Sequence, residues 1–231
     1  MSPTPEFAHD HDVRLYQGAQ ELFPALVEAM DAALSDIQFE TYIFDFTGAG
    51  SSVGEALARA AQRGVRTHLV VDGVGTGRLP APWAARLTAA GVQWRVYSPL
   101  GRFGLLLPSR WRRLHRKLCV VDGRVLFCGG INVLDDFHDP NHGALDAPRF
   151  DFAVRATGSL VLQASDAMEQ LWWRMQAVRD VRKRRLPEAL QALRTASAQR
   201  HAEQQIGQPR GSGAQVRAAL VLRDNVRNRA R

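Results

Sequence analysis

The chain has 231 residues, of which 45% are hydrophobic and 23% charged, enough apolar material for one sizeable core. Its net charge is +7, and a surface of that sign attracts polyanions such as nucleic acid or anionic lipid. No apolar run of about 18 residues predicts a membrane-spanning helix, and the polar start MSPTPEFAHDHD predicts no signal peptide.

Helix and strand patterns alternate along the first hundred residues. In chain order the sequence predicts a helix at 18–36, a strand at 39–46, a helix at 52–63, a strand at 65–72, a helix at 83–90 and a strand at 92–98. Ser52 and Glu55 have the spacing of a capping box at the start of the second helix, and Gly64 ends that helix. Such alternation favours an α/β fold with a largely buried sheet.

The remainder of the chain is less regular. After the segment 115–132, the sequence predicts a strand that follows Asp151 and a helix from Leu160 with a continuous apolar stripe. An apolar strand pattern starts again at 218–222 and echoes the strand and helix near the beginning of the chain. We therefore divide the chain into a disordered N-terminus at 1–11, a first half at 12–178, a basic helix and flexible linker at 179–214, and the start of a truncated second half at 215–231.

The segment HRKLCVVDGRVLFCGGIN, residues 115–132, combines chemically active side chains with two strand patterns. Residues two apart on a strand share a face, so His115 and Lys117 are expected to project together. Asp122 and Gly123 form a strong two-residue hairpin signal between apolar runs. We expect Asp122 to shape this turn rather than to contact a substrate.

The hairpin predicts that Gly129, Gly130 and Asn132 return beside His115 and Lys117. Glycines allow a ligand close to the backbone and leave N–H donors accessible, and Asn132 adds a side-chain amide. An imidazole, an ammonium group and several amide donors around one point suit a phosphate. A neutral, oriented imidazole can attack phosphorus, which splits a phosphodiester displacement into two steps through a covalent intermediate.

An imidazole nucleophile needs an orienting group, and a carboxylate on its far nitrogen is the usual one. The downstream candidates are Asp135, Asp136, Asp139, Asp146 and Asp151. Asp151 is preferred because it opens a strand, and a sheet would hold it rigidly. No Cys/His cluster has metal-ligand spacing, so neither a metal nor another cofactor is predicted, and the two cysteines are expected to be small buried side chains.

The spacing of histidine, lysine, aspartate and Gly-Gly-x-Asn in this segment resembles the HKD motif of the phospholipase D superfamily. The segments FETYIF, RGVRTHLVVDGVGT and FDFAVRATG resemble blocks of the bacterial cardiolipin synthases within that superfamily. This resemblance covers residues 12–178, with a fainter match at RAALVLRDN. It implies a phospholipase D-like α/β/α sandwich with a mixed central sheet, present here as one complete half of a normally duplicated fold.

The resemblance also implies roles for individual residues. His115 would be the nucleophile that becomes phosphorylated, Lys117 and Asn132 would hold the phosphoryl oxygens, and Asp151 would orient the histidine. Gly129 and Gly130 belong to the same phosphate-binding group, and Asp122 is the third letter of the catalytic motif. Glu40 matches a family glutamate whose role stays open, and Arg113 of the preceding basic run is a further candidate.

One departure from the family pattern concerns the second histidine, which acts as acid and base on the alcohols. The family uses two motifs that meet at a shared site, and this sequence has only one. The second motif would come from a missing second half or from a homodimer.

The implied function is transfer of a phosphatidyl group between two phosphatidylglycerol molecules, giving cardiolipin and glycerol. Two alternatives stay open: a phosphodiesterase or nuclease that acts as a homodimer, and an inactive truncated module. Nucleic acid is a partner only under the nuclease alternative. The expected partner is otherwise anionic phospholipid, met peripherally on the cytoplasmic side of the cell membrane, where the apolar and arginine-rich stretch 100–111 would dock.

Overall fold

The computed structural model describes residues 8–99, 112–139 and 143–182, together with short pieces at 187–188, 190–191, 194–195, 216–219, 223–224 and 229–230. Its helices are α1 (Gly18–Asp31), α2 (Gly50–Gln62), α3 (Ala81–Ala90) and α4 (Ser159–Arg182). Its strands are β1 (Ala8–His11), β2 (Val13–Gln17), β3 (Asp36–Thr41), β4 (Arg66–Asp72), β5 (Gln93–Tyr97), β6 (Leu118–Val121), β7 (Val125–Gly129), β8 (His138–Asp139), β9 (Gly143–Ala144), β10 (Phe152–Ala156), β11 (Val216–Ala218), β12 (Arg223–Asp224) and β13 (Arg229–Ala230).

Seven strands form one mixed sheet in the order β2-β10-β7-β6-β3-β4-β5. Strands β3, β4 and β5 run parallel and are connected by helices, whereas the neighbours from β3 across to β2 pair antiparallel. Helices α1, α2 and α3 pack on one face of the sheet and α4 packs on the other. The predicted α/β/α sandwich with a mixed central sheet is therefore confirmed.

The alternation of side chains along β6 separates the two cores. Cys119 and Val121 belong to the larger core beneath α1, α2 and α3, while Leu118 and Val120 belong to the smaller core beneath α4. Successive residues on a strand point to opposite faces, so every residue of this strand is buried. Each such aliphatic side chain stabilises the fold by about 1.5–3 kcal/mol relative to an exposed position.

Two local predictions about the first part of the sheet are wrong. The strand predicted at 39–46 ends at Thr41, because the Ile43 N–H donates to the Asn132 side chain instead of to a neighbouring strand. The capping box does not form either. Helix α2 already starts at Gly50, and the Ser52 hydroxyl donates to the Ala49 carbonyl.

A strand near the start of the described chain pairs with one near its end. Residues 8–11, predicted to be disordered, form β1, and this strand pairs antiparallel with β11. Ala218 packs against the core beneath α4, so residues 216–218 add to this half in the structure.

Helix α4 runs past the predicted boundary at 178, and most of the predicted linker at 179–214 lies outside the described residues. Within the described ranges, no helix is both long and apolar enough to cross a bilayer.

The approach of β7 to β10 gives a first prediction. A Cβ added at Gly129 would lie 2.4 Å from the Cα of Ala153, whereas a Cβ at Gly130 would meet nothing closer than 3.6 Å. Gly129→Ala is expected to lower the free energy of unfolding by about 1–3 kcal/mol, since backbone must move apart. The matched control Gly130→Ala is expected to lose less than about 1 kcal/mol. Urea denaturation followed by circular dichroism measures both, and equal losses would contradict the packing described.

Candidate active site

His115 and Lys117 lie on an extended segment that leads directly into β6. His115 is exposed and Lys117 is half-buried. The Lys117 carbonyl accepts the Gly129 N–H at 3.3 Å, and the Lys117 ammonium donates to the His115 carbonyl at 3.3 Å. Burial lowers the pKa of Lys117, an effect opposed by the negative charge of Asp151. The two motif side chains thus lie at the start of the central strand β6, where the negative charge of Asp151 acts on Lys117.

Asn132 is positioned by the backbone that follows β3. Its side-chain oxygen accepts the Ile43 N–H at 3.1 Å, which assigns the orientation of the amide. The NH2 group is therefore the side chain's hydrogen-bond donor. Donation from this group to a phosphate stays a prediction.

Gly129 and Gly130 do not have the free N–H donors that the sequence predicted. The Gly129 N–H donates to Lys117, and the Gly130 N–H donates to the Phe152 carbonyl at 2.7 Å. Both donors are used because the flanking strands extend to this end of the sheet. What the glycines contribute is space: a Cβ at Gly130 would lie 3.6 Å from an Asp151 carboxylate oxygen.

The structure separates Asp151 from the other candidate aspartates. Asp136 accepts the Ala19 and Gln20 N–H groups and so caps α1. The remaining three are accounted for elsewhere: Asp135 accepts the Phe137 N–H, Asp139 pairs with Arg149, and Asp146 is exposed. Asp151 is the candidate whose charge acts on Lys117. Among the described residues, however, no hydrogen bond joins its carboxylate to the His115 ring.

Asp122 lies away from the site, at the opposite end of β6. It follows Lys117 by five positions, which is ~16 Å along a strand. Its carboxylate accepts the N–H groups of Leu34, Ser35 and Asp36 and the Ser35 hydroxyl. Partial burial opposes the shift, but these hydrogen bonds lower the pKa of Asp122. These contacts favour the interpretation that Asp122 shapes the turn, whereas a catalytic role for this residue stays a prediction.

Glu40 is buried on β3, where it pairs with Leu118 at the start of β6, and 1% of its surface is exposed. Arg116, which stands between His115 and Lys117, places its Nε 3.1 Å from a Glu40 carboxylate oxygen. Burial raises the pKa of Glu40 to about 7, and Arg116 acts in the opposite direction. Glu40 is covered and anchors the segment through Arg116, while its place among the possible site residues stays a prediction.

Arg113 also anchors the segment. Its guanidinium lies 3.5 Å from the buried Asp72 carboxylate, and the Leu114 N–H donates to the same carboxylate at 2.7 Å. Asp72 further accepts the Val74 and Gly75 N–H groups. The basic run before the motif is thus partly used to fix the backbone. Its Arg110, and the stretch 100–111 predicted to dock on a bilayer, lie outside the described residues.

Tyr42 is a site residue that the sequence reasoning missed. Its ring stacks on the His115 imidazole with 4.4 Å between centroids. Its position two residues after Glu40 could have indicated a place near the motif, but the pattern at 39–46 predicts a continuous strand.

Lys117 and Gly129 border a recess of about 20 Å³ whose other walls are mainly apolar. The recess has room for about one water molecule. It is therefore too small to enclose a phosphate group.

Comparison with known proteins decides the family. The sequence profile of the family described as cardiolipin synthase, PLD-like domain, matches residues 26–144, which include Glu40, His115, Lys117 and Asn132. The chain belongs to this family. The resemblance that the motif predicted is thereby confirmed.

Curated relatives agree with this assignment. Cardiolipin synthase B of Salmonella typhi is 36% identical over 151 residues, which cover 65% of this chain and 36% of that protein. Cardiolipin synthase B of Escherichia coli K12 is 33% identical over 171 residues, covering 70% of this chain and 41% of the relative. The chain therefore spans well under half the length of these relatives.

Solved structures support the fold. The phospholipase D family member Nuc from Salmonella typhimurium superimposes with a TM-score of 0.50 at 19% identity, covering 71% of this chain and 95% of that one. NucT from Helicobacter pylori gives a TM-score of 0.50 at 10% identity and covers 69% and 94%, respectively. At these identities the likeness establishes a phospholipase D-type fold.

The buried Glu40 gives a prediction about stability and pH. Its pKa in the folded chain is about 7 against 4.5 for an unperturbed glutamate, so the folded chain holds more protons than the unfolded chain between those values. Stability should therefore fall as pH rises through this window, by about 2–3 kcal/mol between pH 5 and pH 8. Urea unfolding at each pH measures this, and Glu40→Gln should remove most of this slope.

Glu28→Gln is the matched control, since Glu28 is an exposed glutamate on α1. The control should keep the slope of the unmodified chain. A slope that is the same in all three proteins would show that Glu40 does not titrate in this window.

Proposed function

We propose that this chain is the phosphohistidine-forming half of a phosphatidyltransferase of the cardiolipin synthase type. The observation that carries the proposal is an exposed imidazole, His115, beside the Lys117 ammonium, within a chain whose family is that of cardiolipin synthases. The Asn132 side chain, bound through its oxygen by the Ile43 N–H, has an amide donor, and the charge of Asp151 acts on Lys117. This set of groups suits a phosphodiester.

The first chemical step forms a covalent intermediate. A ring nitrogen of His115 attacks the phosphorus of one phosphatidylglycerol, the phosphorus–oxygen bond to the terminal glycerol breaks, and that glycerol leaves with a proton from a general acid. Lys117 and the Asn132 NH2 group stabilise the charge that develops on the phosphoryl oxygens. Asp151 is proposed to assist by orienting His115.

The second step regenerates the histidine. A hydroxyl of a second phosphatidylglycerol attacks the phosphorus, gives its proton to the group that acted as the acid, and breaks the phosphorus–nitrogen bond. The products are cardiolipin and free His115. Neither step calls for a metal or another cofactor.

The general acid is proposed to come from a second histidine outside this half. The proposed organisation has a first half at 12–178 and a second half that begins near 215, with a second copy of the chain as the other source. The exposure of His115 is consistent with a surface that a partner covers. The net charge of +7 favours an anionic membrane surface, proposed to be the cytoplasmic one.

Replacement of the proposed nucleophile tests the function. The purified chain is given phosphatidylglycerol vesicles, and lipid products and the His115 peptide are quantified by mass spectrometry. We expect a phosphatidyl adduct on His115 and cardiolipin as the product, both lost in His115→Ala because no other described side chain at this site replaces the imidazole. His138→Ala is the matched control, since His138 is an exposed histidine away from the motif.

The product pattern separates the alternatives. Phosphatidic acid without cardiolipin would indicate a hydrolase. An adduct that persists in His115→Ala would show that the nucleophile is misassigned. Absence of both adduct and product in the unmodified chain would contradict the supply of the general acid by a second copy of the chain.

The proposed role of Asp151 gives a separate prediction. Asp151→Asn keeps the shape of the side chain and removes its charge, so it is expected to slow adduct formation by about tenfold or more while vesicle binding stays within about twofold. Single-turnover adduct formation and vesicle co-sedimentation measure the two quantities. An unchanged rate would move the orienting role to another group.

A further inference from the structure

The Tyr42 ring contacts both side chains of the motif. It lies nearly parallel to the His115 imidazole, with 4.4 Å between centroids and 15° between the planes. The Lys117 Nζ lies 5.7 Å from the centroid of the same ring, within cation–π range. Tyr42 belongs to the segment just after β3, so an element outside the motif determines where these two side chains rest.

Tyr42 is itself held in place from the opposite side of the site. Its carbonyl accepts the Thr76 hydroxyl at 3.0 Å, and the Thr76 oxygen accepts the Phe44 N–H at 2.9 Å. A Cβ added at Gly75 would lie 2.9 Å from two ring carbons of Tyr42, so the backbone there packs close to the ring. The Gly75 N–H donates to the buried Asp72, which also binds the Leu114 N–H. One carboxylate thus fixes both the support of Tyr42 and the residue before His115.

A nucleophilic histidine must present a ring nitrogen to phosphorus, and rotation about its χ2 angle is otherwise broad. A hydrogen bond to the far nitrogen is the usual restraint, but within the described residues the His115 ring makes none. A flat aromatic neighbour supplies a different restraint. The tyrosine ring hinders rotation of the imidazole out of the stacked orientation. Both imidazole nitrogens lie at the edge of the ring and stay open to a ligand.

We propose that Tyr42 is a positioning residue that fixes the orientation of the His115 imidazole for attack on phosphorus; the inference rests on the function proposed above. The stack also acts on the reaction itself. Bond formation from nitrogen to phosphorus places positive charge on the imidazole, and the electron-rich face of the tyrosine attracts that charge. An attraction that is stronger in the transition state than in the ground state lowers the barrier.

The first arm of the test measures the stack without turnover. The carbon-bound ring protons of His115, assigned by their loss in His115→Gln, are observed by NMR in the unmodified chain. Tyr42→Phe retains the ring and should retain their ring-current shift, whereas Tyr42→Leu should remove it. Phe46→Leu is the matched control, because Phe46 is stacked on Phe44 at 4.2 Å in the same segment without contact to His115.

The second arm measures reactivity. Single-turnover formation of the phosphatidyl adduct should slow by about tenfold or more in Tyr42→Leu, stay within about twofold in Tyr42→Phe and change little in Phe46→Leu. Vesicle binding should be the same in all four proteins. Rescue by phenylalanine separates positioning by the ring from a contribution of the hydroxyl and from a general loss of packing.

The outcomes are distinguishable. His115 signals that stay unchanged in Tyr42→Leu would overturn the proposal, as would adduct formation at the normal rate in that variant. If the unmodified chain forms no adduct, a second copy of the chain does not supply the general acid, and the NMR comparison alone decides whether Tyr42 orients the ring.

Discussion

The arrangement of the site depends on one buried carboxylate, Asp72, at the end of β4. A fully buried charge is tolerated only when it is hydrogen-bonded and paired. Asp72 meets this requirement by accepting three backbone N–H groups and lying against Arg113. Two of those donors lie in the turn after β4 and one lies at Leu114, so the need to satisfy one anion ties the turn to the motif segment.

The site is built at the ends of the central strands β6 and β3 by segments that are not themselves strands. The motif segment is fixed by two ion pairs, Arg116 with Glu40 and Arg113 with Asp72. Asn132 is fixed by the Ile43 N–H, in the backbone after β3. Several of the conspicuous charges therefore serve the backbone and not a ligand. The His115 imidazole, by contrast, stays exposed.

The periodic parts of this fold were predictable, because burial of one face imposes a regular pattern on a helix or strand. The sandwich, the hairpin after β6 and the return of Gly129 beside Lys117 follow from that pattern. Tyr42 and the cap supplied by Asp136 could not be predicted in this way, since both depend on contacts between distant segments. The prediction that the Gly130 N–H is free for a ligand is wrong for a similar reason. The sequence does not show that β10 lies beside β7 and supplies the Phe152 carbonyl as acceptor.

The position of Asp122 far from the site has a consequence for register. Strand β6 is attached to β3 at both ends: Arg116 pairs with Glu40 at one, and Asp122 binds the backbone at 34–36 at the other. A slip of one residue would turn every side chain of β6 to the opposite face and carry His115 toward α4. The aspartate of the motif thus helps to keep the histidine and the lysine, which are proposed to meet the phosphate, on one side of the sheet.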